Sequence, residues 1–308
     1  MFSKKLLIPL LSLSLLVTPA YSSHAAENTE AAGTSVEGQG MLSPSSSSES
    51  SESVFNGSGA GTSSEPVTDE KLETILKQVQ SQLPAENGTW AVFISDLVNG
   101  TEGSLNDQKM QAASLIKLYI MGAVYENYDQ ITGQYGRDSV DSNLYSMITV
   151  SDNDAANTLT TYLGGGDSAA GMQAVNSFCQ AHGYGQTHMG RMLLASNEND
   201  DNYTSVGDCG HLLQEIYKQD TSSYTHAADM FNLLKAQTRC NKIPAQLPEG
   251  VKTANKTGEL DNVENDAGII YDSKNDVVIV FMSQNLSSAG SAQNTIATLS
   301  RTIYDYYN

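Results

Sequence analysis

The stretch AASLIKLYIMGA, residues 112–123, decides how the rest of the chain is read. It has no breaker before Gly122 and carries apolar residues on every side, so it predicts a helix entering a core. Lys117 is the exception, a single cationic amine three residues after Ser114. On a helix that spacing sets both side chains on one face, one turn apart. Many helices carry a lysine whose stem covers apolar surface while its ammonium reaches water. The alternative is that burial disfavours the ammonium, lowers its pKa and makes the neutral amine a base for the neighbouring hydroxyl. No other lysine in this chain has a serine three residues before it. The start of such a helix also offers backbone N–H groups to a developing oxyanion.

Outward from this helix, the flanking segments predict a mixed architecture. DEKLETILKQVQSQL (69–83) spaces Leu72, Ile75, Leu76 and Val79 along one helical face, and GTWAVFISDL (88–97) alternates as a strand with Trp90, Val92 and Ile94 on one side. From about 122 to 240 the pattern is mostly helical: NLYSMITV, NDAANTLTTYL, GMQAVNSFCQAHG, SVGDCGHLLQEIY and HAADMFNLLKAQ, parted by Gly, Asn and Asp. GGGD at 164–167 reads as a loop between helices rather than a phosphate cradle, since no strand precedes it. DAGIIYD and DVVIVFMSQ, joined by SKN, predict a hairpin, and Ile296, Leu299 and Ile303 mark a closing helix. The expected fold is α+β, an antiparallel sheet packed by terminal helices with an all-helical subdomain inserted between.

The other end of the chain sets the domain limits. Residues 1–26 open with Lys4 and Lys5, continue with LLIPLLSLSLLV and end in small residues around SSHAA, the layout of a secretory signal peptide and too short for a membrane span. Residues 27–66, including SPSSSSESSES, offer little apolar surface to offset ordering entropy and read as a flexible linker. Residues 67–308 remain as one catalytic-sized domain, expected outside the cell or facing the envelope and expected to be a monomer.

The net charge of −19, without a Lys or Arg patch, argues against nucleic acid or an anionic membrane as partner. Cys179, Cys209 and Cys240 allow one disulfide plus a free thiol in three alternative pairings. Neither they nor the histidines at 24, 182, 188, 211 and 226 have metal-ligand spacing, and no cofactor is implied. There is no Gly-x-Ser-x-Gly elbow and no His-Glu-x-x-His helix.

Two further motifs join Ser114 and Lys117. Ser151-Asp152-Asn153 lies in MITVSDNDAANTL between two apolar helical runs, where it could also be an ordinary helix cap. Lys256-Thr257-Gly258 lies in TANKTGELDN just before the hairpin, at a strand edge. With SLIK at 114–117, SDN at 151–153 and KTG at 256–258 in this order, the domain resembles class A β-lactamases and penicillin-binding proteins over residues 67–308. The resemblance implies Ser114 as the acylated nucleophile and Lys117 as its base or proton relay. It implies that Ser151 passes a proton to the leaving nitrogen and Asn153 holds the substrate's side-chain amide. Lys256 and Thr257 would bind the substrate carboxylate, and the backbone N–H groups of Ser114 and Glu259, beyond Gly258, would form the oxyanion hole.

The chain departs from that family in three places. The Glu-x-x-Leu-Asn loop that supplies the deacylating glutamate is absent; the corresponding HMGRMLLASNENDDNYTS offers Glu198, Asp200, Asp201 and His188, each of which also reads as a solvated or turn residue. The segment between the first and second motifs is short, which predicts a more open site. ELDNVENDAGIIYD, after the third motif, supplies no Arg or Lys, and Glu259 adds a negative charge, so weak binding of small anionic β-lactams is expected. Missing general-base help costs on the order of 10²- to 10⁴-fold. The expected activity is therefore a secreted serine acyl-hydrolase that forms a covalent acyl-enzyme with β-lactams and deacylates slowly. The alternatives are a D,D-peptidase or esterase acting on D-alanyl-type cell-wall peptides, and a non-hydrolytic penicillin-binding or sensing protein.

Overall fold

The computed structural model describes residues 69–222 and 224–308, so the signal peptide and linker expected at 1–26 and 27–66 lie outside the described residues. In chain order the elements are α1 (Glu70–Gln82), β1 (Thr89–Asp96), β2 (Thr101–Leu105), β3 (Met110–Gln111), α2 (Ile116–Glu126), α3 (Tyr128–Tyr135), α4 (Arg137–Thr149), α5 (Asn153–Leu163) and α6 (Ser168–Ala181). They continue with β4 (Tyr203–Thr204), α7 (Val206–Lys218), α8 (Ala227–Lys235), β5 (Lys252–Leu260), β6 (Val263–Tyr271), β7 (Val277–Gln284) and α9 (Ala289–Tyr307). Helix starts follow their cap residues: Asp69, Asp152, Asp167, Ser205 and Ser288 each accept a hydrogen bond from a backbone N–H in the first turn.

Five strands form an antiparallel sheet in the order β2-β1-β7-β6-β5. The β1–β7 pairing, from Thr89 opposite Gln284 to Asp96 opposite Val277, joins the two ends of the domain in one sheet. Alternation along β1 then feeds two cores. Trp90, Val92 and Ile94 face α1 and α9, packing with Leu72, Ile75, Val79, Ile296, Leu299 and Ile303. Ala91 and Phe93 face the helical side with Ile269, Val278 and Val280. The mixed α+β arrangement, the terminal helices and the β6–β7 hairpin are as the sequence predicts.

Within the helical part, α2 is buried from Ile116 to Val124, which is why its sequence is apolar all round. The inserted region is not wholly separate from the sheet: α7 lies back on it, with Gly210 against Phe93 of β1. A Cβ at Gly210 would fall 2.4 Å from the Phe93 ring. Gly210→Ala is therefore expected to cost about 1–3 kcal/mol through overpacking, read as a lower urea midpoint at unchanged slope. None of the three cysteines is in a disulfide: Cys179 and Cys209 are buried in the helical core and Cys240 is exposed. The pairing allowed by the sequence does not form.

Candidate active site

Three elements bring the sequence motifs together. Ser114 sits in a single 3₁₀ turn, Ala113–Leu115, that runs straight into α2. Its backbone is held from two sides. Asn265 of β6 donates through Nδ2 to the Gln111 and Ala112 carbonyls at 2.9 and 3.2 Å, and the Ala112 N–H donates to the Asn202 carbonyl at 2.9 Å. Ala113, at φ 47°, takes the left-handed conformation that turns the chain into the 3₁₀ turn. Ser151, at φ 61°, makes a similar bend between α4 and α5, while Asp152 caps α5 through the Ala155 N–H at 2.7 Å. The cap reading of Ser-Asp-Asn thus holds for its middle residue, leaving Ser151 and Asn153 to face α2.

Lys117 is fully buried, one turn into α2. Its Nζ lies 2.6 Å from the Ser151 carbonyl, 2.7 Å from Asn153 Oδ1, 3.1 Å from Ser151 Oγ and 3.2 Å from Ser114 Oγ. An ammonium has three protons, so it cannot serve four acceptors at once. A neutral amine likewise engages three of the four: it donates to the two shortest partners and can turn its lone pair to the Ser114 hydroxyl. Burial lowers the Lys117 pKa to about 8, with the Arg239 charge acting in the same direction and Asp152 opposing.

Lys256, on the edge strand β5, is also fully buried and donates to Ser151 Oγ at 2.8 Å and to the Thr257 carbonyl at 2.7 Å. Its pKa is pushed well down, first by burial and then by Lys117, Arg239 and Lys242, against the pull of Asp266. Ser151 Oγ therefore sits between two amines. Once Lys117 has taken up a third proton, both can donate to its lone pairs, and its own proton is left to point at whatever occupies the cleft.

Gly258 lets β5 pass against the serine turn. A Cβ there would lie 2.9 Å from the Ala112 carbonyl oxygen and 3.2 Å from the Ser114 nitrogen. Thr257, beside it, is buried. Glu259 pairs with Arg239 Nη1 at 3.0 Å and with the fully buried Lys242 at 2.9 Å. Burial pushes the Glu259 carboxyl up, but Lys242, Arg239 and Lys256 outweigh it and hold the pKa below the usual glutamate range. The segment after KTG does lack a cation, as read from sequence; Arg239 reaches the site instead from the stretch between α8 and β5.

Of the four residues considered as deacylating bases, Asp201, Asp200 and His188 are engaged with other partners. Asp201 bonds Arg191 Nε at 2.6 Å and Gln111 Nε2 at 3.0 Å, stapling the neck of the loop. Burial raises its pKa, but the bonds from Gln111, the Asn202 amide and Arg191 prevail and the net shift is downward. Asp200 bonds His188 at 2.7 Å, and that bond leads the causes holding its pKa down. Glu198 is exposed. Along this loop Leu193 is tied directly to α5. Its N–H donates to Asn157 Oδ1 at 2.8 Å and its carbonyl accepts from Asn157 Nδ2 at 3.0 Å. Asn157 stands four residues after Asn153 on α5, one turn away on the same face. That spacing is visible in NDAAN, but nothing local in the sequence reveals Leu193 as its partner or Arg239 as the partner of Glu259.

An antiparallel sheet with helices on both faces and a Ser–Lys–Ser–Lys cluster at its edge defines the class of β-lactamase-like serine hydrolases. The chain belongs to the beta-lactamase enzyme family, whose sequence model matches residues 71–138 and 134–307. No curated protein matches. Among solved structures the fold is shared with a β-lactamase from Sphaerobacter thermophilus DSM 20745, at 22% identity over 75% of this chain and 95% of that one, TM-score 0.63. It is also shared with the reconstructed class A β-lactamase of the last common ancestor of Gram-negative bacteria, at 20% identity over 76% and 100%, TM-score 0.65. PBP-A matches at 23% identity over 76% and 96%, TM-score 0.67. A Leu-to-Glu variant of PBP-A is described as an acyl-enzyme complex with penicillin G.

Proposed function

We propose that this chain is a serine acyl-hydrolase, exported by residues 1–26 and carried on the 27–66 linker, whose Ser114 is acylated by β-lactams and released slowly. The observation that carries this is the Lys117 amine, 3.2 Å from Ser114 Oγ and with a pKa brought down to about 8 by burial. Ser114 Oγ attacks the carbonyl carbon as its proton moves to Lys117. The tetrahedral oxyanion faces the backbone N–H groups of Ser114 and Glu259. The C–N bond then breaks, the nitrogen takes the Ser151 proton, and Lys117 returns a proton to Ser151 across 3.1 Å. Asn153 has its Oδ1 engaged by Lys117, which leaves its amide N–H groups for a substrate carbonyl. Thr257, with Lys256 behind it, forms the wall toward the substrate's far end.

Hydrolysis of the resulting ester needs a base for water, and Leu193 stands on the loop beside α5 where a carboxylate would be useful. That position favours a second reading, a penicillin-binding or sensing protein that stays acylated. A D,D-peptidase acting on D-alanyl-type peptides would use the same groups. Intact-protein mass spectrometry of the full chain with penicillin G over time tests the proposal. The expected result is a stoichiometric adduct that decays over many minutes and is absent in Ser114→Ala. An adduct that never decays selects the sensing reading, and no adduct with any β-lactam or D-alanyl ester refutes the acyl-transfer assignment.

A further inference from the structure

We infer that a second binding site, for an organic ammonium group, lies where α2 passes into α3, beside the end of α6 and the start of α8. It is separate from the serine: α2 carries it roughly 16 Å along the helix from Ser114. Asn127 both ends α2 and begins α3. That junction brings Tyr125 and Tyr128 into one cluster with His226, which precedes α8. Their ring centroids lie 5.5 Å apart for the two tyrosines, and 5.1 and 4.8 Å from each to the imidazole. His182, at the end of α6, stacks on Tyr224 at 4.9 Å. These five rings border a cavity of about 420 Å³.

The cavity's charge has one sign. Among the described residues no lysine or arginine lines it, while Glu126 and Asp129 do. Glu126 spends Oε2 on His182 Nε2 at 3.3 Å, which orients the carboxylate and leaves Oε1 for another partner. Asp229 bonds His226 Nδ1 at 2.9 Å in the same way. Burial first, then the charges of Asp229 and Asp141, push the Tyr125 hydroxyl pKa up, so the rings lie in a negative field. Aromatic faces and carboxylates both attract a cation, and more strongly where water is partly excluded. The fold already uses this preference once. An adjoining cavity of about 370 Å³ shares Tyr125, Tyr128 and His226, and there the Arg137 guanidinium stands 5.1 Å from the Tyr128 centroid. The larger cavity has the same rings without such a side chain, so its cation must come from a ligand: a free amine or the basic side chain of a peptide.

The test titrates the isotope-labelled full chain with choline, with choline's uncharged carbon isostere and with maltose, following backbone amide shifts by NMR. Choline is expected to give saturable shifts at the α2–α3 junction and around His182 and His226, unchanged in Ser114→Ala. The isostere is expected to bind at least about tenfold more weakly. Glu126→Gln with Asp129→Asn, both at exposed positions, is expected to weaken choline about tenfold and the isostere little. N-acetyl-lysine amide binding as well as choline assigns the site to a peptide side chain, and choline binding alone assigns it to a free quaternary amine. Equal binding of choline and its isostere overturns the inference by making this an apolar cavity. Saturation by maltose but not choline overturns it in favour of a sugar site, and no shift with any of the ligands overturns it outright. The acyl-hydrolase reading stands or falls separately, on the penicillin G adduct.

Discussion

Replacing Lys117 by methionine is expected to leave the domain folded and to slow acylation of Ser114 by about 10²- to 10⁴-fold. Methionine has an unbranched side chain that fills the same buried channel, so the packing of α2 is retained. What is lost is the lone pair facing Ser114 and the route by which Ser151 regains its proton. The pH dependence carries the same signature. Because the neutral amine is the active form, the acylation rate of the parent chain rises through about pH 8 and levels off above it. Below that value it falls about tenfold per unit as the ammonium forms. The methionine variant loses this inflection. Time-resolved mass spectrometry across pH, with thermal unfolding as the control for folding, reads both effects. A variant that acylates at the parent rate would return Lys117 to a packing role.

The parts of this structure that were legible in the sequence are those written as periodicity or as short motifs. Leu72, Ile75 and Val79 announce α1, the alternation around Trp90 announces β1, and Ile296, Leu299 and Ile303 announce α9, because each face is buried against one partner. The uniformly apolar α2 announces a helix enclosed on all sides, and its one lysine is explained by the acceptors gathered around it. Short pairings leave no such trace. The β3–β4 pair, Met110 opposite Thr204 and Gln111 opposite Tyr203, has two residues per strand and depends on chain brought from far away. The position of α7 on the sheet turns on a missing side chain at Gly210, which reads in sequence only as a weak helix former. The cations flanking Glu259 belong to the same kind. Arg239 and Lys242 precede β5 by a stretch whose one regular piece is the short 3₁₀ turn Ile243–Gln246, too short to fix in sequence where the two cations end up.

The absent glutamate leads to the second large effect. Leu193→Glu is expected to speed release of the acyl group by about 10²-fold while changing acylation little. The backbone of Leu193 is clamped by Asn157 on both its N–H and its carbonyl, so the side chain's position is set by main-chain bonds that the substitution keeps. Asn157 in turn stands one turn from Asn153, whose Oδ1 touches Lys117. A carboxylate at 193 is therefore held against Asn157, one turn of α5 from Asn153, rather than out in the exposed loop with Glu198. Leu193 is only 8% accessible, so the new carboxyl is partly desolvated and its pKa rises toward neutrality, where a general base works best. The same burial costs about 1–3 kcal/mol of stability, seen as a lower unfolding midpoint. Leu193→Gln separates the two consequences, since it has the size and polarity of the glutamate without the proton affinity. Decay of the penicillin G adduct should quicken in the glutamate variant alone. If the glutamine variant decays equally fast, the gain comes from loosening the loop and admitting water, and the missing base is not what makes release slow.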